Sequence, residues 1–199
     1  MMRLVVGLGN PGRQYERTRH NAGFWWVERL AQLSKVELRP ERKFNGYVGR
    51  MTSPGECWLL LPQSYMNASG QAVEGLASFY KITVEEILVV HDELDLAPGS
   101  AKLKLGGGVA GHNGLKDIAA KLGQNFWRLR LGIGHPGQRD MVVDYVLHAP
   151  SQEDAEQISQ AIDRSLKIWP FVQAGEMEKA MHALHTKALR EEGGGRGEE

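Results

Sequence analysis

The spacing of apolar residues changes repeatedly along the chain, and each spacing predicts a type of element. Short, wholly apolar runs are typical of strands buried on both faces, whereas apolar residues at every second position predict half-buried strands. The predicted strands are 4–8, 47–52, 57–61, 87–90, 101–105 and 127–133. Apolar residues three and four positions apart predict helices after Asn21, at 73–80, after Asn113, from Ser151 to Trp169 and at 177–184.

Strands that alternate with helices along the chain indicate an α/β fold. The helices are numerous enough to cover both faces of a sheet, and the turn at 53–56 predicts a hairpin. We therefore predict a three-layer α/β/α sandwich on a mixed, mostly parallel twisted sheet. The length suits one domain, which we place at 1–189 with the C-terminal helices included. Residues 190–199 are rich in glycine and charge and lack apolar side chains, so we expect a disordered tail.

The densest polar chemistry follows the predicted strand 87–90. His91, Asp92 and Glu93 come directly after it, at the carboxyl end of a predicted central strand, which is where open α/β sheets collect ligands. The glycine-rich loop 106–111 offers backbone that can approach a ligand closely. We expect the functional site at this end of the sheet.

Charge and cysteine content narrow the classes of function. Basic and acidic residues balance at 24 each, so a nucleic-acid partner must be held by a local basic stripe. The single cysteine, Cys57, excludes an internal disulfide, and no CxxC zinc spacing occurs. The strand-like segment LVVGL begins at Leu4, and no run of eighteen apolar residues occurs in the sequence, so we expect neither an apolar leader nor a membrane span. We expect a soluble cytoplasmic protein.

Three familiar motifs are incomplete. Gly7, Gly9 and Gly12 spell GxGxxG, but a polar loop follows them where a dinucleotide site needs a helix. The loop 106–111 gives GxxxxG without the Lys-Ser/Thr of a nucleoside triphosphatase. No GxSxG elbow is present, and Cys57 lies in an apolar strand pattern, so covalent catalysis is not the leading hypothesis.

His20 stands in a polar loop immediately before a predicted helix. If this loop folds over the carboxyl end of the strand 87–90, His20 can meet Asp92, and such a carboxylate fixes the imidazole tautomer and raises its basicity. This predicts a metal-free acid–base site. The rival interpretation is a metal site formed by His91, Asp92 and His112, although these residues lack a recognised ligand spacing.

Three asparagines, Asn10, Asn67 and Asn113, recur in predicted loops. Each taken separately is typical of a turn or a helix cap. Together they could supply amide donors and acceptors around a peptide or an oxyanion.

Four segments taken together closely resemble the bacterial peptidyl-tRNA hydrolase family. They are GLGNPGRQYERTRHNAGF, SYMNASGQAV, HDELDLAPGSAKLKLGGGVAGHNGLKDI and FWRLRLGIGHPG, in this order along the chain. The resemblance implies hydrolysis of the ester that joins a peptide to the 3′ ribose of tRNA, which recycles tRNA from chains dropped by ribosomes. It also implies the mixed-sheet sandwich predicted above, usually monomeric, with no metal, cofactor or obligate protein partner.

The resemblance assigns roles residue by residue. His20 matches the catalytic histidine and Asp92 matches its aspartate partner. The resemblance assigns Asn10, Asn67 and Asn113 to holding the peptide, the 3′ end and the attacking water, and we expect Asn10 to be the amide donor to the oxyanion. The residues matched to substrate binding are Tyr15, Met66, Asn67, Asn113, Lys104 and Arg130, the last two as the basic pair that clamps the 5′ phosphate of tRNA. One departure is visible, because Val109-Ala110 stands where a second glycine before Gly111 is expected.

Two other classes of function stay open at this point. One is a noncatalytic RNA-binding relative on the same scaffold, and the other is a metal-dependent peptidase or phosphorylase-like enzyme on a similar sandwich. Hydrolysis of N-acylated aminoacyl-tRNA tests the first, and inactivation by chelators tests the second.

Overall fold

The computed structural model describes residues 1–193 as a seven-stranded sheet flanked by helices. The strands are β1 (Leu4–Gly7), β2 (Arg39–Glu41), β3 (Gly46–Met51), β4 (Cys57–Pro62), β5 (Ile87–Glu93), β6 (Ala101–Leu105) and β7 (Trp127–Gly132). The α-helices are α1 (Ala22–Leu33), α2 (Ser69–Phe79), α3 (Asn113–Leu122), α4 (Val142–Val146), α5 (Gln152–Leu166), α6 (Trp169–Ala174) and α7 (Met177–Gly193).

The strands follow the order β2-β3-β4-β1-β5-β7-β6 across the sheet. The four central strands, β4, β1, β5 and β7, are parallel to one another. The outer pairings β2–β3, β3–β4 and β6–β7 are antiparallel, and β3–β4 is the predicted hairpin. The sheet is therefore mixed, and parallel pairing is confined to its centre, where the carboxyl ends of β1 and β5 meet at one edge.

Helices cover both faces of the sheet, as predicted. Leu88 of β5 belongs to one buried cluster with Ile162 of α5 and Leu184 of α7. Its neighbour Val89 belongs to a second cluster with Ile118 of α3. Because successive strand residues point to opposite faces, these two clusters are the two interfaces of a three-layer sandwich.

Two glycines bring α1 against the sheet without any intervening side chain. A Cβ atom on Gly7 would lie 2.5 Å from the carbonyl oxygen of Gly23, and one on Gly23 would lie closer still to the carbonyl oxygen of Val90. Such distances are far below van der Waals contact. The first turn of α1 is therefore held directly over the carboxyl ends of β1 and β5.

The predicted helix caps act differently in the structure. Asn21 occupies the N-cap position of α1, but its side chain makes no capping hydrogen bond because it binds the backbone of Asn10 instead. The N-cap of α3 is His112, whose side chain accepts a hydrogen bond from the backbone N–H of Leu115. The predicted cap, Asn113, is the first helical residue.

The helix predicted from Ser151 to Trp169 corresponds to α5, and its predicted last residue is the first residue of α6. Ser151 caps α5 as predicted, with its hydroxyl accepting from the backbone N–H of Asp154. The helix ends at Leu166, and α6 begins at Trp169 with a proline in its first turn. Proline is favourable there because it lacks the N–H that the start of a helix leaves unpaired.

The C-terminal helix α7 continues to Gly193, which lies inside the range predicted as a tail. Residues 194–199 of that range are outside the described residues. The domain boundary at 189 stays a prediction. In the part of the chain that the structure describes, no helix combines the length and the apolar character needed to cross a membrane.

Candidate active site

Asp92 and His20 meet at the carboxyl edge of the central strands. Asp92 lies on β5 with 2% of its side chain exposed, and His20 lies in the 3-10 turn Arg19–Asn21 that leads into α1. The Nδ1 atom of His20 is 2.9 Å from Oδ2 of Asp92. The two side chains meet because the glycine contact described above fixes the first turn of α1 over the end of β5.

A second imidazole binds the other oxygen of the same carboxylate. Nε2 of His112 is 2.9 Å from Oδ1 of Asp92, and Nδ1 of His112 accepts from the backbone N–H of Leu115. A neutral imidazole carries one N–H, so this network assigns the proton of His112 to Nε2, which donates to Asp92. An ionised carboxylate accepts only, so the proton of His20 is on Nδ1 and its Nε2 keeps a lone pair.

Contacts within the cluster shift the pKa values of Asp92 and His20 in opposite directions. Burial alone would raise the pKa of the Asp92 carboxyl, but the two histidines outweigh burial and hold that pKa well below its usual range. Burial alone would lower the pKa of His20, and the charge and hydrogen bond of Asp92 outweigh it, so the pKa is raised above 6.5. Asp92 therefore stays ionised, and His20 is a stronger base than a free imidazole.

His91 is excluded from this cluster by its own hydrogen bond. Its Nδ1 donates to the backbone oxygen of Asp92 at 2.8 Å, and its Nε2 is buried with no partner among the described residues. Burial and the nearby His112 lower its pKa to about 3, so the ring is neutral. The rival metal set of His91, Asp92 and His112 thus does not converge on one point.

A different set of possible metal ligands does converge. One ligand atom each from His20, Asp92 and His112 lie within 4.8 Å of one another. For Nε2 of His112 to bind a metal, its proton would have to move to Nδ1, where it would face the N–H of Leu115. The hydrogen bonds of this site therefore fit acid–base chemistry better than metal binding.

Asn10 is held by a reciprocal contact between two loops. Its backbone N–H donates to Oδ1 of Asn21 at 2.8 Å, and Nδ2 of Asn21 donates to its carbonyl at 3.0 Å. Oδ1 of Asn10 accepts from the backbone N–H of Met66 at 2.7 Å. Within the described residues the Nδ2 group of Asn10 has no acceptor, which leaves a fixed N–H donor beside the cavity.

An open cavity of about 700 Å³ lies in front of the cluster. Its polar side is formed by Asn10, His20, Asn67, Asp92, His112 and Asn113. Its apolar side is formed by Leu94, Val142, Val143, Val146 and Leu147. The cavity therefore places a base and several amide groups opposite a wall that suits apolar side chains.

Two further predicted residues shape the cavity from its margin. Met66 is buried and lines it. Tyr15 lies behind Tyr65, with the rings edge-on and their centroids 6.4 Å apart. Tyr65 lines the cavity and is 61% exposed, so Tyr15 acts on the cavity through Tyr65.

The predicted basic pair lies beside the cavity on β6 and β7. Lys104 is exposed and is opposite Arg128, while Arg130 is opposite Lys102, so all four share one face of the sheet. Nε of Arg130 donates to Oε1 of Glu93 at 2.8 Å. Arg130 is therefore partly neutralised by a carboxylate that also lines the cavity.

Arg128 is turned inward instead of contributing to an open basic surface. It is 2% exposed, and its guanidinium donates to the carbonyl oxygens of Gly107 and Gly108 at 2.8 and 2.5 Å. In the same loop Ala110 has a φ of 46°, in the left-handed region that glycine adopts without strain. The departure from the expected glycine therefore places a strained residue next to Gly111.

Sequence reasoning grouped His112 with Asp92 only as possible metal ligands, so it missed the hydrogen bond between them, and it missed the structural role of Asn21. A signal for both was present, because α1 and α3 start at the same dipeptide: His20-Asn21 precedes α1, and His112-Asn113 supplies the N-cap and the first residue of α3. The pairing of Glu93 with Arg130 had no comparable signal.

Comparison with known proteins gives one consistent result. Residues 4–192 match the family model described as peptidyl-tRNA hydrolase. A peptidyl-tRNA hydrolase of Methylobacillus flagellatus is 59% identical over 187 residues, covering 94% of this chain and 97% of the relative. One of Neisseria meningitidis is 58% identical, covering 94% and 98%. The crystal structure of peptidyl-tRNA hydrolase from Acinetobacter baumannii matches with a TM-score of 0.90 and 47% identity, covering 92% and 94%, which confirms the predicted sandwich.

Proposed function

Because the chain belongs to the peptidyl-tRNA hydrolase family, we propose that it hydrolyses the ester between a peptide and the 3′ ribose of tRNA. The observation that carries this proposal is the 2.9 Å contact between His20 Nδ1 and Asp92 Oδ2 at a cavity lined by amide groups. The reaction returns free tRNA from peptidyl-tRNA that ribosomes release early. We place it in the cytoplasm, with a monomer as the active form.

His20 acts as the general base in this proposal. Its Nε2 takes a proton from a water molecule as the water oxygen attacks the ester carbonyl carbon. The resulting tetrahedral intermediate loses the 3′ oxygen of the ribose, which takes the proton back from His20. A correctly placed general base contributes roughly 10² to 10⁴ to the rate.

Asp92 and Asn10 support the base in different ways. Asp92 fixes the Nδ1–H tautomer of His20 and stabilises the imidazolium that forms during attack. The Nδ2–H group of Asn10 is the donor for the carbonyl oxygen as negative charge develops on it. His112 keeps the carboxylate in place by binding its second oxygen.

The substrate is held at three places. Asn67 and Asn113 bind the 3′ end and the attacking water on the polar side of the cavity. The apolar side formed with α4, together with Met66 and Tyr65, receives the peptide. Lys104 and Arg130 bind a 5′ phosphate of tRNA, which carries no base identity, so many tRNAs are accepted.

The decisive experiment measures release of an N-acylated amino acid from tRNA by wild type and by His20→Ala, each with and without EDTA. We expect wild type to be active in both conditions, and His20→Ala to lose hydrolysis while it still binds tRNA. Near-normal hydrolysis by His20→Ala would show that His20 is not the general base. Loss of wild-type activity in EDTA would instead favour a metal-dependent enzyme, and inactivity of wild type in both conditions a noncatalytic RNA-binding protein.

A further inference from the structure

Glu93 joins the active-site cavity to the basic face. It is the last residue of β5, directly after Asp92, and it lines the cavity. Its Oε1 accepts from Nε of Arg130 at 2.8 Å, and both side chains are mostly buried, with 13% of Glu93 and 23% of Arg130 exposed. A partly buried pair of this kind is more strongly fixed than an exposed surface ion pair.

The contact uses only one edge of the guanidinium. Arginine has five N–H donors, and Glu93 takes the one on Nε. Within the described residues the two terminal nitrogens of Arg130 have no other partner. These terminal nitrogens form the edge that binds a phosphate through two parallel hydrogen bonds.

Of the two arginines on this face of β7, Glu93 binds only Arg130. Arg128 and Arg130 lie two residues apart on the same face of the strand. Arg128 donates to backbone carbonyls and has no carboxylate within ion-pair distance among the described residues. The hydrogen bond of Glu93 therefore fixes the direction of Arg130 alone.

We propose that Glu93 is a positioning residue for tRNA binding, which holds Arg130 by Nε so that its terminal nitrogens face a phosphate. The inference rests on the proposed function, because it takes the phosphate of tRNA as the ligand of Arg130. Glu93 takes no part in the chemical step. Its effect is therefore on KM, and kcat stays unchanged.

Two substitutions separate positioning from simple charge. In Glu93→Gln the amide oxygen still accepts from Nε of Arg130, while the negative charge near the phosphate is lost. In Glu93→Ala both the acceptor and the charge are lost. Positioning predicts a KM at or slightly below wild type for Glu93→Gln, and a rise for Glu93→Ala of roughly two- to tenfold, the effect of one hydrogen bond.

The experiment measures kcat, KM and thermal unfolding for both variants, for Arg130→Ala and for the double variant Glu93→Ala/Arg130→Ala. Glu178→Gln is the matched control, since it removes an exposed carboxylate on α7, outside the cavity. In the double variant, Glu93→Ala should add nothing to the KM of Arg130→Ala.

The possible outcomes test the positioning role of Glu93 separately from the proposed binding of tRNA phosphate by Arg130. A lower KM in both Glu93 variants would mean that the carboxylate merely repels phosphate. An equal rise in KM for Glu93→Gln and Glu93→Ala would also overturn positioning. So would a double variant whose increase in KM combines those of the two single variants. A fall in kcat in both variants would assign Glu93 to the chemical step. If Arg130→Ala raises KM and Glu93→Ala does not, only the inference fails. If Arg130→Ala has no effect, the phosphate contact of the proposed function fails.

Discussion

The acid–base cluster of His20, Asp92 and His112 and the basic face of Lys104 and Arg130 differ in how far their charged groups are buried and paired. At the cluster, Asp92 is buried and both of its oxygens are bound by imidazoles at 2.9 Å. On the basic face, Lys104 is exposed and Arg130 is partly paired with Glu93. The first region is shielded from solvent ions, whereas the second is partly exposed to them.

This difference in burial and pairing predicts whether pH or salt concentration affects each region more strongly. Buried pairs are screened little by salt, whereas exposed charges are screened within about 10 Å at 0.1 M salt. Asp92 raises the pKa of His20 above 6.5 against the effect of burial, and histidine is the side chain whose charge changes within the physiological pH range. We therefore expect pH to act on the chemical step through the cluster, and salt to act on tRNA binding through the basic face.

The largest expected effect comes from breaking the cluster with Asp92→Asn. His20 and His112 each bind a different oxygen of Asp92, and asparagine replaces one of these oxygens with an NH₂ group, so one of the two imidazole N–H groups loses its acceptor. We expect kcat to fall by about 100-fold or more, the size of a lost general base, while tRNA affinity is unchanged. Single-turnover hydrolysis and equilibrium binding measure the two quantities. Asp95→Asn is the control, and a near-normal kcat for Asp92→Asn would contradict the proposed role.

Changing pH should sharpen the comparison. The pKa of His20 is raised above 6.5, and only the neutral ring can accept a proton from water. We expect kcat/KM to fall as pH drops through that raised pKa, by about tenfold for each further unit. The midpoint should shift little with salt. Because Asp92 raises this pKa, the residual activity of Asp92→Asn should have its midpoint at lower pH. An unchanged midpoint would show that the activity does not depend on the pairing of His20 with Asp92.

A smaller effect is expected from the basic face. Lys104→Ala and Arg130→Ala should each raise KM and reduce the slope of log KM against log salt by about one, because each removes one phosphate contact. Their kcat values should equal that of wild type. Lys167→Ala, which removes an exposed lysine after α5, is the control. If neither variant changes the response to salt, the phosphate contact lies elsewhere.

The smallest effect is expected from the glycine loop between the two regions. Ala110→Gly removes the strain of a φ of 46° but adds entropy to the unfolded chain. We expect the free energy of unfolding to rise by less than about 1 kcal/mol. Ala120→Gly, at an exposed position of α3, should lower it by about 1 kcal/mol. Denaturant unfolding of both variants checks the opposite signs.

The sequence predicts the region around β5 well because its signals are local. The apolar run before Asp92 marks a buried strand, and the carboxyl end of such a strand is where ligands gather. The contact of His20 with Asp92 follows once the first loop is placed over that end. These inferences need only the direction of the chain and the position of the strand.

The rest depends on side-chain directions that periodicity does not contain. Alternation places Arg128 and Arg130 on the same face of β7, but only tertiary contacts turn the first under the glycine loop and pair the second with Glu93. Likewise, an asparagine before a helix is ordinarily a cap, and Asn21 loses that role because the backbone of Asn10 offers it two hydrogen bonds.

The backbone contact of Gly7 with Gly23 fixes the start of α1, and with it the position of His20. Any residue with a Cβ atom at either place would push the start of α1 outward and carry His20 away from Asp92. The valines of α4 have no part in this backbone contact and line the cavity instead. Engineering of peptide preference should therefore begin at Val142 and Val143, which lie on the cavity wall, and leave the two glycines untouched.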